Sequence, residues 1–304
     1  MTLRVIVNPA AGGGRAGRAL GAVTTALASQ GIAHRVDPTL SLDHARELTS
    51  AALQAGELPV AFGGDGLISA VAEVMAGSER PMAVLPGGRG NDFLRGLGIP
   101  LNPVKACAVL SDPNTSAIPV DLGRAGESCF LGIAICGYDS VANQIANDCR
   151  LVRGHLVYSY AGIRALSGWK PATFRLTLDG KQRELYGYTV AVANSARHGG
   201  GMMLAPDARL DDGLFDVTLI AHMSRLKLMR ALPTVFHGGH TRLDEVEIVR
   251  ARHVVLDSDR PFTVFADGDP ISQLPLELSV APLALQVLVP NGRLPRVGSR
   301  NMTR

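Results

Sequence analysis

Three times within the first 93 residues a short apolar run ends in a glycine cluster that leads directly into a helical pattern. Leu3-Arg4-Val5-Ile6-Val7 precedes Gly12-Gly13-Gly14-Arg15-Ala16-Gly17, and Pro59-Val60-Ala61-Phe62 precedes Gly63-Gly64-Asp65-Gly66. Met82-Ala83-Val84-Leu85 precedes Pro86-Gly87-Gly88-Arg89-Gly90-Asn91-Asp92-Phe93. Strands alternating with helical segments specify a parallel sheet wrapped by helices. The pattern places strands near 3–7, 33–37, 59–62 and 82–85, and helices near 16–30, 42–55 and 67–76, with Gly77 as a C-cap. The loops then gather at one sheet edge, where open α/β sheets bind ligands.

After about residue 118 the texture becomes strand-rich, with helical patterns only near 140–168 and 224–235. Asp179-Gly180 supplies the turn of a hairpin between alternating runs over 174–190. Further strands fit 214–220, 245–249, 253–257, 262–266, 275–280 and 284–289. The expected fold is therefore α/β plus β: an N-terminal three-layer α/β domain with a parallel sheet over 1–119, and a C-terminal β-sandwich over 120–290. The polar tail, about 291–304, is expected to pack back on the first domain, and the cleft between domains is the natural site. A length of 304 residues and a hydrophobic share of 46% support two cores and exclude global disorder.

The net charge of +3 is too small to indicate a nucleic-acid partner. Cys107, Cys129, Cys136 and Cys149 have neither zinc-site spacing nor the density of a disulfide scaffold, so reduced thiols are expected. No signal peptide and no run of about 18 apolar residues is present, which points to a cytoplasmic protein, soluble or at most peripheral to a membrane.

Thirteen of the 34 glycines, at 12–14, 17, 63–64, 66, 87–88, 90 and 199–201, fall in four short loops. The first loop matches G-x-G-x-x-G with Asp37 further on, the spacing of a dinucleotide site, but lacks the Lys-Ser/Thr of a P-loop. In the second, glycines permit close approach to a phosphate, whereas Asp65 would repel it unless a cation or proton transfer used the carboxylate; the bland alternative is an N-cap. In the third, Arg89 can neutralise a phosphate and Asn91 or Asp92 can cap the helix. Together the loops suggest a polyphosphate ligand.

Asn8-Pro9, Gly63-Gly64-Asp65-Gly66 and Pro86-x-Gly88-x-x-Asn91-Asp92-Phe93, followed by Gly199-Gly200-Gly201-Met202, Ala205-Pro206-x-Ala208, Asp211-Asp212-Gly213-Leu214-x-Asp216-Val217 and Asp267-Gly268-Asp269, resemble the diacylglycerol kinase catalytic-domain family, which includes bacterial lipid kinases and is related to sphingosine kinases. The ordered set spans nearly the whole chain; the GGDG element alone is shared with NAD kinases. The resemblance implies an ATP- and Mg²⁺-dependent kinase that phosphorylates a lipid hydroxyl at the membrane surface, in phospholipid metabolism, and leaves a homodimer open. On it, Asn8, Gly63, Gly64, Asp65, Gly66, Leu67, Ile68, Ser69, Arg89, Asn91 and Asp92 line the nucleotide, with Asp37 or Thr39 as a further contact. A structural Mg²⁺ would use the carboxylate of Asp212 and the carbonyls of Arg209 and Leu214. Asp269, with Asp267 beside it, is the proton acceptor, and Asp65 competes for that role.

Three positions depart from the family: Leu67 and Arg89 stand where Thr is usual, and Asp269 replaces a Glu. They keep two alternatives open, a soluble-substrate kinase like NAD kinase and a catalytically weak lipid-binding homologue. His198 reads as a solvated loop residue before a substrate contact, Asp211 and Asp216 as turn or ion-pair residues, and Asp121 and Asp139 as members of a carboxylate network in the cleft. Trp169, Leu166 and Ile163 read as core before a lipid-entry patch. Alone, Asp267-Gly268-Asp269 reads as a β-turn with exposed acids.

Overall fold

A computed structural model describes residues 2–149 and 156–295. The N-terminal unit follows the expected alternation: β1 (Leu3–Val7), α1 (Ala11–Ser29), β2 (His34–Pro38), α2 (Leu42–Gln54), β3 (Leu58–Gly63), α3 (Asp65–Met75) and β4 (Ala83–Pro86). Two short helices follow, α4 (Asp92–Leu97) and α5 (Pro103–Cys107). The four strands form a parallel sheet in the order β2-β1-β3-β4. Helix α2 packs on α3, and α1 on α5. Strands β1, β3 and β4 are buried along their whole length, which is why they read as continuous apolar runs rather than as alternation.

The glycine loops have a structural reason that their sequence did not disclose. Gly12, Gly13 and Gly14 all take left-handed φ, from 62° to 82°, so regular helix begins only after them. The Gly87 N–H donates to the Gly63 carbonyl at 2.7 Å. A Cβ on Gly88 would lie 2.6 Å from the Gly64 Cα, and one on Gly87 would lie 3.0 Å from the Gly63 Cα. Glycine is therefore required for loop-against-loop packing as well as for any ligand. Gly88→Ala is expected to lower stability by roughly 1–3 kcal/mol, the usual cost of overpacking, read as a lower thermal midpoint. An unchanged midpoint would mean that the two loops are not held together.

The second unit contains β5 (Ser116–Ala125), β6 (Ser128–Phe130), β7 (Ile133–Gly137), α6 (Tyr138–Asp148), α7 (Leu156–Gly168), β8 (Ala172–Leu178), β9 (Lys181–Ala193), β10 (Phe215–Ala221), α8 (Arg225–Ala231), β11 (Val246–Ala251), β12 (His253–Ser258), β13 (Thr263–Ala266), β14 (Asp269–Gln273) and β15 (Leu276–Val289). The strands form one continuous sheet of eleven, in which the 13-residue β9 pairs with β8, β7 and β10. The β8–β9 turn is as expected: Asp179 and Gly180 both have positive φ, the requirement of a two-residue hairpin.

Two expectations for strands and helices change. The runs 275–280 and 284–289 form one strand, β15, with a register irregularity between Ala281 and Leu285. The helical pattern over 224–235 becomes α8 followed by a 3-10 helix over Leu232–His237. The segment that returns to the first unit is the end of β15: Leu285, Val287 and Val289 enter the first core, and the Met82 N–H donates to the Gln286 carbonyl at 2.9 Å. Leu294 packs on that core too, and the remainder of the expected tail, 296–304, lies outside the described residues.

Candidate active site

The second and third glycine loops end at the N-termini of α3 and α4, and the β13–β14 hairpin of the second unit reaches over them. Asp65 occupies the first position of α3; Gly64 is the N-cap and receives no side-chain bond. Asp65 Oδ2 instead accepts the Asn91 N–H at 3.0 Å, which ties the second loop to the third. Its Oδ1 is buried without a hydrogen-bond partner among the described residues; Oδ1 of Asp92 likewise has no hydrogen bond there but lies 3.8 Å from the Arg95 guanidinium. Burial foremost, then the nearby charges of Asp92 and Asp267, push the Asp65 carboxyl up to about 7. Asp92 Oδ2 accepts the Gly200 N–H at 2.8 Å, so the triple-glycine loop of the second unit closes on the first unit here. A side chain at Gly90 would lie within 3.2 Å of carboxylate oxygens from both Asp65 and Asp92.

Asp269 begins β14 and lies against Gly66 so closely that a Cβ there would collide with its Oδ2. The side chain is exposed at the cleft mouth, yet partial desolvation raises its carboxyl above the usual range. This arrangement fits a proton acceptor: an accessible carboxylate beside the glycine loop, with no bond that fixes it among the described residues.

Asp267 does not fit that role. Its φ of 52° turns the hairpin, and the Leu131, Gly132, Ile133 and Ser69 groups donate to it at 2.8, 2.9, 3.2 and 3.1 Å. Four bonds use the acceptor capacity of a carboxylate. Asp267 is thus a clamp between α3 and the start of β7, neither the exposed turn acid of the bland reading nor a free catalytic base.

Other expected nucleotide contacts separate by geometry. Asn8 caps the turn after β1 by accepting the Ala10 N–H at 3.1 Å. Asn91 braces the third loop, with Oδ1 accepting from the Gly88 N–H at 2.9 Å and Nδ2 donating to the Gly88 carbonyl at 3.1 Å. Arg89 is exposed and has no ion-pair partner among the described residues. Leu67 and Ile68 are core side chains, so only their backbone could face a ligand, and the Ser69 hydroxyl is given to Asp267. Asp37 is a correction: its carboxylate turns back along the sheet to Arg4 at 2.7 Å and Arg35 at 3.6 Å, away from the loop edge. Thr39 is buried, with its hydroxyl donated to the Ser41 carbonyl. Arg15 was not singled out in the sequence; it reaches the Gly88 carbonyl at 3.5 Å and adds a second exposed cation beside the third loop.

In the set Arg209, Asp212 and Leu214 expected to hold a metal, the one carboxylate is engaged by protein groups. Asp212 Oδ1 accepts the Leu214 N–H at 3.2 Å, and its Oδ2 is bonded by the Arg250 guanidinium, so the one carboxylate already has a cation. Arg209 pairs with Asp211 at 3.0 Å. Arg250 also approaches Asp216 at 3.5 Å, whose carboxyl is raised by burial. No group of three His, Cys, Asp or Glu side chains among the described residues is placed to hold a metal. At the Asp65–Asp92 pair, Asp65 Oδ1 has no hydrogen-bond partner among the described residues and Asp92 Oδ1 lies 3.8 Å from the Arg95 guanidinium, so a divalent cation there would share Asp92 with Arg95 and take its other oxygens from water and phosphate.

Asp121 lies outside the cleft network, holding the Gly213 and Leu283 N–H groups at 2.7 Å each. Asp139 accepts the Thr189 hydroxyl at 2.9 Å. His198 is buried, not solvated, and its backbone pairs with Met202. Trp169 and Leu166 are core, and the Ile163 side chain lies outside the described residues. All four cysteines are free.

The glycine-looped α/β unit carries a carboxylate cluster and is capped by a β-sandwich-like unit. The family model described as "Diacylglycerol kinase catalytic domain" matches residues 2–125, and "YegS C-terminal NAD kinase beta sandwich-like domain" matches residues 132–289. The protein is 37% identical to "Diacylglycerol kinase" of Mycobacterium tuberculosis over 293 residues, covering 94% of each chain. It is 35% identical to "Probable lipid kinase YegS-like" of Pseudomonas aeruginosa over 254 residues, 82% of each. A crystal structure of a diacylglycerol kinase from Bacillus anthracis has the same fold, with TM-score 0.71 at 21% identity over 95% of this chain and 96% of that one. The chain belongs to the diacylglycerol kinase catalytic-domain family of lipid kinases.

Proposed function

We propose that the protein moves the γ-phosphoryl group of ATP, in the presence of Mg²⁺, to a hydroxyl of diacylglycerol or a related lipid at the cytoplasmic face of a membrane. The observation that carries this reading is the convergence of carboxylates on the glycine loops, with Asp65 and Asp92 beside Gly90 and Asp269 of the hairpin against Gly66. The glycine loops, with Arg15 and Arg89, hold the phosphates. Asp269 accepts the proton of the lipid hydroxyl as its oxygen bonds to the γ-phosphorus and the bond to ADP breaks. Asp65 and Asp92 would hold Mg²⁺, which when bound neutralises charge across the β- and γ-phosphates.

A cavity of about 520 Å³ suits acyl chains. Val141, Ile145, Trp169 and Phe262 supply apolar lining, and Arg164, Lys170 and Arg260 line it as well. Phe262 and Asp267 are five positions apart, or about 17 Å in extended conformation, so a lipid could span from the carboxylates to this cavity. Ile145→Trp, which fills it, is expected to raise KM for long-chain diacylglycerol several-fold more than for a short-chain one; equal effects on both would place the chains elsewhere. The reading is tested with labelled ATP, Mg²⁺ and diacylglycerol in mixed micelles. Label should enter the organic phase as a phosphorylated lipid, and its confinement to water-soluble products would overturn the reading.

A further inference from the structure

Helix α8 and the 3-10 turn that continues it present one face to the second core and the other to solvent. Leu228, Ala231 and Val235 are buried, while Leu226, Met229 and Phe236 are 56%, 49% and 59% exposed. The spacing 226, 229, 236 keeps the exposed set on a single helical stripe, and Pro233 lies between its members. Tyr186, 56% exposed, joins the same end of the unit: its carbonyl accepts the His222 N–H at 2.9 Å, and its ring lies 5.6 Å from that of His222. Scattered exposed apolar residues need no explanation, but an aligned group of this kind does.

Charge identifies what covers it. Residues 222–243 contain Arg225, Lys227, Arg230 and Arg242 and no Asp or Glu, with Asp244 and Glu245 directly after them, in a chain whose whole excess is only +3. Lys227 is paired with Glu245 at 2.6 Å. Arg225, Arg230 and Arg242 have no carboxylate at ion-pair distance among the described residues, and Arg225 donates instead to the Trp169 carbonyl at 3.3 Å. Bulky apolar side chains interleaved with uncompensated arginines complement an anionic bilayer, where the chains enter the acyl boundary and the cations meet headgroups. The site lies close by: the Met203 N–H donates to the Val235 carbonyl at 2.8 Å, and three residues earlier the Gly200 N–H holds Asp92.

We propose that the exposed stripe of α8 and its 3-10 extension is the surface by which this protein docks on anionic phospholipid bilayers, with Leu226, Met229 and Phe236 inserted and Arg225 and Arg230 at the headgroups. It rests on the lipid-kinase reading only in explaining why docking is useful, since the binding itself requires neither nucleotide nor turnover. It places the triple-glycine loop, and with it the cleft mouth, next to the bilayer that supplies the acceptor.

The test is co-sedimentation of the full chain, without nucleotide, with vesicles of phosphatidylcholine alone or with about one third phosphatidylglycerol. Wild type is expected to bind the anionic vesicles at least roughly tenfold more tightly than the neutral ones, and to be released by high salt as screening removes the arginine contribution. Met229→Ser combined with Phe236→Ser, and separately Arg230→Glu, should each weaken binding roughly tenfold or more while the thermal midpoint is kept. Phosphorylation of a water-soluble short-chain diacylglycerol should persist in both. Equal binding to the two vesicle types, wild-type binding by the variants, or loss of self-association in place of vesicle binding would overturn the proposal. Absence of phosphoryl transfer to any acceptor, with vesicle binding and its loss in the variants intact, would instead refute the kinase reading and leave the docking surface standing.

Discussion

Asp65→Asn is expected to abolish most turnover, by two to four orders of magnitude, and yet to stabilise the nucleotide-free protein above neutral pH. The first effect follows from removal of a charged group at the transferring phosphoryl, where fixed electrostatic partners contribute most. The second follows from the raised carboxyl. Asp65 titrates at about 7 in the folded protein against an ordinary 3.8, so between these values the folded chain holds a proton that the unfolded chain has released. The associated stability is fully present below about 3.8 and is lost as pH rises through about 7. At pH 8 the wild type bears the full cost of an ionised carboxylate beside Asp92 and Asp267, on the order of 2–4 kcal/mol. Asparagine cannot ionise, and its Oδ1 can still accept the Asn91 N–H. Melting in a chelator between pH 6 and 8 should show a falling midpoint for wild type and a flatter one for the variant. Parallel curves would show that Asp65 is not held in a proton-retaining site, and retained turnover would remove it from the chemistry.

Asp269→Asn is expected to lower kcat by about two to four orders of magnitude, the range for loss of a general base, with KM for ATP nearly unchanged because the side chain faces the acceptor side of Gly66. Asp269→Glu restores the longer carboxylate usual in the family and should keep kcat within about tenfold, since only one methylene separates the two carboxylates from the same position. A pH–rate profile discriminates this role from simple packing: the rising limb of wild type, set by a carboxyl already raised by desolvation, should disappear in the Asn variant. Wild-type kcat in Asp269→Asn would transfer the proton-accepting role elsewhere.

The parallel sheet was legible because its strands are buried on both faces and separated by helices with ordinary amphipathic spacing; all four strands and the first three helices lie within a few residues of expectation. The strands over 116–137 were not read, since Pro119 and four glycines interrupt the pattern and the pairing partner β15 is far along the chain. The carboxylates of the site were legible as motifs, but their roles were not. Asp267 and Asp269 are two residues apart in a hairpin whose turn sends one toward four donors and leaves the other open, a difference that only tertiary contacts reveal. Asp37 was misread for a similar reason: Arg4, the partner that turns it from the loop edge, is 33 residues away. Arg250, which sits where a cation was expected beside Asp212, comes from a strand with no motif at all.

The most direct test of the central claim is a lipid panel presented to the purified protein with ATP and Mg²⁺, with each product identified by mass. The expected result is a gain of one phosphoryl group on diacylglycerol or a close relative, together with stoichiometric ADP, and loss of that product in Asp269→Asn. Tight nucleotide binding with no phosphorylated lipid from any member of the panel would contradict it.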